Sequence, residues 1–344
     1  MKEDSPHVEQ KALPPACITG SVKNGLMKDY WGRQYEASST YQWLPTYFDV
    51  DDKGSFSIAD YINNLVPRSE HTILYTSLAQ LFSLALPLLE SVLSYGRAVR
   101  PRIRDSDDES IAYHHDSRIE PIKEQSYSLK GQRLQVITKI VDYELAPGES
   151  YEGVWHVEGM FHEEIVATVI YFIHRDADIK GGDILFKRAF HKDEAEHIFS
   201  QIPQSRPRAL DNLINEGLLP LGKVQTLPKR LQVFPNSHVH KVTKMQNESQ
   251  ESNNTAQVQK RRKMQYESQE TNDTTQVQKR RIVVFFLVNP EKRIISTRDV
   301  PPQQLEAGGS MSREEAVAHR LELMKERKFN KQDWNIREIE LCEH

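Results

Sequence analysis

The sequence predicts an α+β protein in which short β-strands form a sandwich or barrel and helices flank it. From residue 126 onward, short apolar or alternating runs are separated by turn signals, which is typical of such β-structures. On either side of this region, helices are indicated by apolar residues at helical spacing at 78–93 and by a capping-box sequence at 312–315. Helices therefore belong to the two ends of the chain and strands to its middle.

The same patterns divide the chain into four segments. Residues 1–40 are polar and show little periodicity, so we expect a poorly ordered N-terminal lead. We expect residues 41–125 to form a helical and loop-rich part that packs on the core, residues 126–304 to form the strand-rich core, and residues 305–344 to form a C-terminal helical extension. The core carries a polar, duplicated insert at 244–281.

Individual helices and strands follow from the periodicity. The N-terminal helix is predicted from an apolar stripe that would face the core, with a kink at Pro87. That stripe consists of Leu78, Leu81, Phe82, Ala85, Leu88, Leu89, Val92 and Leu93. The predicted core strands lie at 133–141, 165–173, 183–187, 230–234, 281–288 and 293–296. The C-terminal helix presents Val317, Leu321 and Met324 on one face.

The insert is an internal repeat. Residues 244–262 and 263–281 are identical at fifteen of 19 aligned positions, and both copies are almost free of apolar residues. Because such copies cannot bury a core face, we expect a mobile polar loop that folding does not need. On this interpretation, deletion of 244–262 leaves the thermal melt nearly unchanged.

Composition limits the functional classes. The 344 residues include 45 Lys and Arg against 49 Asp and Glu, a net charge of −4, so no overall field attracts nucleic acid or an anionic membrane. Two cysteines exclude a disulfide framework. The N-terminus lacks an apolar signal region, and the longest apolar stretch, 78–93, is interrupted and too short to cross a bilayer. We expect a soluble cytoplasmic protein, with the nucleus as the alternative location.

A candidate metal site begins at His156 and Glu158. On a strand, residues two apart project to the same face, so this imidazole and carboxylate can converge on one divalent metal. A second histidine would complete the two-histidine, one-carboxylate triad of non-haem iron(II) oxygenases. The segment at 233–242 offers two candidates, His238 and His240, which share a strand face.

A pair of arginines opens the apolar strand at 281–288. An arginine at the mouth of a buried barrel can bind a carboxylate with two parallel hydrogen bonds. On the predicted strand, Arg280 and Arg281 point to opposite faces, so only one of them can line the interior.

The order of these motifs resembles the 2-oxoglutarate/iron(II)-dependent dioxygenase superfamily and, within it, a mostly fungal domain family of unknown function. The resemblance runs from about residue 41 to 304, through the stretches at 41–45, 60–67, 128–140, 155–172, 233–242 and 285–304. It implies a double-stranded β-helix, or jelly-roll, core with flanking helices. It also implies Fe(II) and 2-oxoglutarate as cofactors.

The resemblance assigns the site residues by position. His156, Glu158 and His240 would be the metal ligands, because the family pattern of Phe-Pro-Asn, three residues and His-x-Val selects His240 over His238. No catalytic residue beyond the metal ligands is implied. Phe172 departs from the pattern, since related enzymes often place there a tyrosine hydroxyl that contacts 2-oxoglutarate.

The same resemblance assigns the co-substrate arginine. Arg280 would bind the distal carboxylate of 2-oxoglutarate, whereas Arg281 would meet solvent or an acidic group. A register shift caused by the repeated Lys-Arg-Arg sequence is the alternative, and it would bring Arg281 inward.

We therefore expect a dioxygenase that uses molecular oxygen to hydroxylate or desaturate a small-molecule substrate, such as a fungal secondary metabolite. Nucleic acid and membrane are not expected partners, and the sequence indicates neither the substrate nor the oligomeric state. The alternatives are a non-catalytic jelly-roll binding or scaffold protein and a cupin-like metalloenzyme that does not use 2-oxoglutarate.

Overall fold

A computed structural model describes residues 21–23, 26–28, 34–36, 40–98, 127–189, 218–249, 277–305 and 308–336. Within these ranges the chain is a mixed α+β protein with antiparallel strand pairing in every sheet. The strands are β1 (Ser21–Lys23), β2 (Leu26–Lys28), β3 (Gln34–Glu36), β4 (Thr46–Val50), β5 (Phe56–Ile58), β6 (Arg133–Leu145), β7 (Ser150–Tyr151), β8 (Ile165–Arg175), β9 (Ile179–Gly181), β10 (Ile184–Ala189), β11 (Leu218–Val224), β12 (Leu231–Pro235), β13 (His238–Val242), β14 (Met245–Asn247) and β15 (Gln278–Val288). The helices are α1 (Thr72–Ala98) and α2 (Arg313–Ile336).

The largest sheet has six strands in the order β12-β8-β15-β6-β4-β5. Its central strand, β15, alternates between two buried faces. Val283, Phe285 and Leu287 join a core cluster with residues of α1 such as Phe82 and Leu89. Ile282, Val284 and Phe286 join a second cluster on the opposite face of the sheet. The sheet is therefore covered on both sides, which explains why the sequence of this strand is almost continuously apolar.

Two smaller sheets cover the second face. The order β11-β10-β13 forms one, and β10 contributes Ile184 and Phe186 to the second core cluster. The order β7-β14-β9 forms the other, in which Ile179 and Met245 pack with Leu145 at the end of β6. The chain passes from the six-stranded sheet to the smaller sheets in the turn between β12 and β13. Residues close to that turn consequently lie beside the space between the sheets.

Helix α1 is longer than the apolar stretch from which it was predicted. It spans 27 residues and contains Pro87. Within Arg68–Ser94, an 18-residue window has a mean hydropathy of 1.6. By length and composition alone this helix could cross a membrane, so the expectation that the stretch is too short was wrong. One face packs on the six-stranded sheet, but Leu88, which we placed on the core-facing stripe, is 43% exposed. Leu86 lies in the core instead.

The strand predicted at 293–296 is not formed. The side chain of Gln135, which is buried on β6, takes the place of a neighbouring strand. Its Nε2 donates to the carbonyl of Ile294 (2.7 Å), and its Oε1 accepts from the amide of Ile294 (3.0 Å). A side-chain amide that satisfies both backbone groups of one residue removes the need for ladder pairing there.

The polar insert is not wholly a loop. Met245–Asn247, near the start of the first repeat, forms β14, and both Met245 and Asn247 are fully buried. At the other end, Gln278–Arg281 belongs to β15. The expectation that all of 244–281 loops out was therefore wrong at both ends, and at the first end one buried methionine, Met245, suffices to dock a three-residue strand. Residues 250–276, with the basic cluster at 260–263, lie outside the described residues.

The repeat makes two deletions directly comparable, and they are expected to differ in stability. Deletion of 263–281 keeps Asn247, whereas deletion of 244–262 puts Tyr266 in its place; both retain a Lys-Arg-Arg sequence before Ile282. Asn247 Nδ2 donates to the carbonyl of Leu145 (2.9 Å) in a fully buried position. A tyrosine there loses this bond and overpacks the site, which costs on the order of 2–4 kcal/mol.

Thermal melts of the two deletion variants measure the difference. The variant that lacks 263–281 is expected to melt close to the full chain, because shortening a loop changes the closure entropy little. The variant that lacks 244–262 is expected to melt several degrees lower. Equal melting temperatures would show that Asn247 does not hold β14 in place.

The two ends of the chain differ from their predictions in detail. Ser312 and Glu315 form the predicted capping box, in which each side chain bonds the other's backbone amide (2.8 and 3.1 Å), and α2 follows. The predicted apolar face of α2 is exposed: Val317 by 38%, Leu321 by 49% and Met324 by 56%. Near the N-terminus, β1, β2 and β3 form a small sheet, whereas residues 1–20 and both cysteines lie outside the described residues.

Candidate metal centre

Two histidines from distant parts of the chain face each other across an antiparallel bridge. The amide of His156 donates to the carbonyl of His240 (3.0 Å), and the amide of His240 donates to the carbonyl of His156 (2.9 Å). Side chains of directly opposed residues project to the same face, and here the two ring centroids are 4.4 Å apart. His240 lies on β13, so this bridge brings the segment at 155–159 against the smaller sheet.

Glu158 reaches the same point through a bend, not along a strand. His156 is a single bridge residue, and the chain bends at Glu158 and Gly159, so the expected strand at this position was wrong. Gly159 has a φ of +74°, and a Cβ there would approach Ile165 Cδ1 to 2.6 Å. Glycine is thus required for the chain to turn back toward β8 directly after the carboxylate.

Together, these three side chains form a compact donor set. Their candidate ligand atoms all lie within 4.8 Å of one another. Glu158 Oε1 is 3.4 Å from Nε2 of His156 and 3.4 Å from Nε2 of His240. Burial alone would raise the pKa of Glu158, but the hydrogen bonds and positive charge of the two imidazoles hold it well below its usual range. The carboxylate is therefore anionic at neutral pH, as a metal ligand must be.

Backbone carbonyls orient both imidazole rings. His156 Nδ1 lies 2.7 Å from the carbonyl of Val154, and His240 Nδ1 lies 3.0 Å from the carbonyl of His238. A proton on each Nδ1 satisfies these contacts and directs the Nε2 atoms of both rings toward Glu158. His240 thus joins the cluster, and His238 contributes its carbonyl to the orientation of His240.

The Arg280 side chain is buried between the sheets without a carboxylate partner among the described residues. Its Nη1 donates to the carbonyl of Gly182 (2.9 Å), while its Nε is buried and unbonded within the same part of the chain. Burial lowers the pKa of this guanidinium to about 10, and the nearby charge of Arg175 acts in the same direction. Gly182 leaves room for the group, since a Cβ there would lie 2.6 Å from Nη1.

Arg281 has the opposite environment. Its guanidinium is exposed and makes two hydrogen bonds of 2.6 Å with the Asp142 carboxylate. The neighbouring arginine, Arg280, lies on the same strand face as Ile282 and Val284 of the second core cluster. Of the two arginines, the one that faces the interior is thus the one without an acidic partner in the part of the chain that the structure describes.

Comparison with protein families gives one match. A family described as protein of unknown function (DUF4246) matches residues 3–253 and 261–309. The chain belongs to this family. The DUF4246 match contains the three clustered side chains and Arg280, and it begins well before residue 41, where we had placed the start of the resemblance. No curated protein matches the chain.

A further residue of this DUF4246 protein fixes the backbone of Glu158. Asn236, in the turn between β12 and β13, accepts a hydrogen bond from the amide of Glu158 (2.8 Å) and donates to the carbonyl of Glu158 (2.8 Å) and to that of Ile165 (3.0 Å). The sequence analysis used this asparagine only as part of a motif. The available sequence signal for this role was its position four residues before His240. This spacing places an amide side chain in the turn that leads into the strand of His240.

Substitution of Asn236 by alanine is expected to weaken metal binding roughly 10- to 100-fold, the usual effect of losing a group that orients a ligand. The three lost hydrogen bonds also cost on the order of 1–3 kcal/mol of stability. Metal titration with a parallel thermal melt measures both effects. Asn289→Ala, in a turn after β15, is the matched control and should leave the metal affinity unchanged.

Proposed function

We propose that the chain is an Fe(II)- and 2-oxoglutarate-dependent dioxygenase. The observation that carries the proposal is the convergence of His156, Glu158 and His240 within 4.8 Å. Two neutral imidazoles and one carboxylate on one side of an ion leave other coordination positions open, which is the donor set of non-haem iron(II) oxygenases. The second supporting observation is the buried guanidinium of Arg280, which has no carboxylate partner among the described residues.

The arrangement of the sheets supports a jelly-roll core as the finer description of the fold. The six-stranded sheet faces the smaller sheets across the second core cluster, and all of these strands pair antiparallel. The donor set lies where β13 crosses to the smaller sheet, and Arg280 lies on the central strand of the larger one. We propose that the six-stranded sheet forms one half of a double-stranded β-helix and that the two smaller sheets together form the other half.

The residues present fit both cofactors. The Nε2 atoms of His156 and His240 and the carboxylate of Glu158 would hold Fe(II), and metal binding would displace any proton that lies between these atoms. When bound, the metal supplies the redox chemistry that couples oxygen and 2-oxoglutarate consumption to hydroxylation or desaturation of a substrate.

The protein supplies binding and orientation. Arg280 would pair with the distal carboxylate of 2-oxoglutarate, and its buried, unbonded Nε offers a donor for that purpose. The aromatic rings of Phe186 and Phe234 lie 5.9 and 4.8 Å from the ring of His240, so they shield one side of the site from water. Exclusion of water strengthens the interaction between the guanidinium and a carboxylate.

We propose further that the substrate is a small molecule and that the protein acts in the cytoplasm without a nucleic-acid or membrane partner. The near-balanced charge supports this part of the proposal. The sandwich of sheets, with the donor set beside its interior, is better suited to a small ligand than to a flat macromolecular surface.

Succinate formation tests the proposal. Purified protein with Fe(II), 2-oxoglutarate and oxygen is expected to produce succinate and carbon dioxide faster than the Glu158→Ala variant, even without the substrate. Anaerobic titration should show that 2-oxoglutarate binds only after the metal. Metal binding without 2-oxoglutarate binding or succinate would favour a cupin-like metalloenzyme, and the absence of metal binding would favour a scaffold or binding protein.

A further inference from the structure

The loop that carries two of the three clustered side chains is bonded to a segment near the start of the described core. This metal-ligand loop consists of residues 156–163, and the segment consists of residues 41–45. Glu163, at the end of the loop, accepts a hydrogen bond at Oε1 from the backbone amide of Trp43 (2.6 Å). These two residues are 120 positions apart in the chain, so only the fold brings them together.

The same carboxylate also binds inside the metal-ligand loop. Glu163 Oε2 accepts from the amide of Met160 (2.8 Å), and the amide of Glu163 donates to the carbonyl of Met160 (3.0 Å). A Cβ on Gly159 would lie 2.9 Å from Oε2, so the carboxylate packs against the residue that directly follows Glu158. One side chain therefore holds both the turn after a candidate metal ligand and the backbone of Trp43.

The burial of Glu163 makes this connection stiff. The residue is fully buried, so its carboxylate depends on these amide donors in place of water. Any movement of the loop that removes a donor raises the energy of a buried charge. A second contact acts in parallel, because His162 Nε2 lies 3.1 Å from the carbonyl of Tyr41. A carbonyl can only accept, so Nε2 is the protonated nitrogen in that contact.

Trp43 lies beside the interior between the sheets. Its ring stacks on Phe286, with ring centroids 5.3 Å apart and an angle of 12° between the ring planes. Lys139 Nζ lies 5.2 Å from the centre of the same indole. Phe286 belongs to the second core cluster and shares its strand face with Arg280. Trp43 therefore covers part of the sheet face on which the buried arginine lies, and Glu163 ties its backbone to the metal-ligand loop.

We propose that Glu163 is a positioning residue that couples metal binding to the placement of Trp43. This inference rests on the metal-binding part of the proposed function, and it makes the segment at 41–45 part of the site. A metal held by Glu158 fixes the metal-ligand loop, and the loop fixes Trp43 through the Glu163 carboxylate. Coupling between two sites is reciprocal, so the bond to Trp43 in turn strengthens metal binding.

Hydrogen exchange in the unmodified protein, resolved to single amides, tests the inference. With free anaerobic Fe(II) at about 100 times its Kd, complete coupling slows exchange about 100-fold, and we expect at least about tenfold slowing at the amides of Trp43 and Met160. The amide of Leu129 is the control, because it donates to another carboxylate, Glu90 (2.8 Å), on α1. Equal slowing at Leu129 and Trp43, or none at Trp43, would overturn the inference.

Two matched variants separate positioning from stability. Glu163→Gln directs an amide NH₂ at one of the two backbone donors, so it is expected to weaken Fe(II) binding roughly 10- to 100-fold and to change the visible spectrum of bound Co(II). Glu90→Gln also removes a carboxylate that binds a loop amide, and it should lower the melting temperature without either effect on the metal. A lower melting temperature in Glu163→Gln with unchanged Fe(II) affinity and Co(II) spectrum would contradict the inference. If Glu163→Gln does not fold, the exchange measurement decides.

The outcomes distinguish a failure of this inference from a failure of the proposed function. If the unmodified protein binds Fe(II) and the Trp43 amide does not respond, the inference fails and the proposed function stands. If the protein binds Fe(II) with the expected response but does not bind 2-oxoglutarate, the dioxygenase proposal fails and the inference stands. If the protein binds no Fe(II), both fail.

Discussion

Replacement of Glu158 by alanine is expected to weaken Fe(II) binding by at least about a hundredfold. Glu158 is the only anionic group of the three-residue donor set, and both histidine Nε2 atoms lie 3.4 Å from its Oε1. Loss of a group that merely orients a ligand already costs roughly 10- to 100-fold, so loss of the charged ligand itself should cost more. Anaerobic Fe(II) titration, or Co(II) titration followed by visible absorption, measures the change.

Glu152→Ala is the matched control for this experiment. Glu152 lies six residues earlier and is exposed, and its carboxylate pairs with Lys241 (3.0 Å), not with the histidines. Its removal should leave metal affinity unchanged. Unaltered affinity and stoichiometry in Glu158→Ala would show that the cluster is not the metal site.

Replacement of Arg280 by methionine is expected to weaken 2-oxoglutarate binding roughly 10- to 100-fold without loss of stability. A pKa lowered to about 10 means that the buried charge costs about 3 kcal/mol of folding free energy at neutral pH. This pKa is below the usual arginine value, so the cost applies at every pH below about 10. Methionine removes the charge and fills similar space, while the carbonyl of Gly182 loses one donor.

Thermal melts and ligand titrations on two variants separate binding from folding. Arg280→Met should melt at or above the temperature of the unmodified chain and bind Fe(II) normally. Arg281→Met loses only an exposed ion pair with Asp142, which contributes about 0–1 kcal/mol, and should bind 2-oxoglutarate normally. If Arg281→Met is the variant that loses binding, the assignment of the inward-facing arginine is wrong.

Several features of the fold could be predicted because they depend on local periodicity. Three such features follow from residues close together in the chain. They are the apolar alternation of β15, the apolar residues at helical spacing in α1 and the capping box of α2. The strand at 293–296 was a wrong prediction, because its sequence gives no sign that the distant Gln135 occupies its hydrogen-bonding groups. The docking of β14 was missed for a similar reason, since a single methionine in a polar repeat carries no periodicity.

The candidate site was likewise predicted from the sequence only in part. The sequence showed the types and the order of His156, Glu158 and Arg280, but it did not show why these side chains converge. We expected a strand to align His156 and Glu158, whereas a bend at Gly159 and the side chain of Asn236 bring the carboxylate into place. Neither can be inferred from a spacing of two, which describes only ideal strands.

The sequence by itself determined the α+β class, the faces of its periodic elements and the set of residues able to bind a metal, because each depends on side-chain chemistry or short-range spacing. Spacing alone left His238 and His240, and Arg280 and Arg281, as alternatives, between which only the family resemblance chose. The tertiary structure shows that His240 meets Glu158 and that Arg280 is buried without an acidic partner among the described residues. These choices depend on how strands far apart in the chain pair and on which sheet face is covered. Pairing register and burial are cooperative properties of the whole fold, so no local pattern encodes them alone.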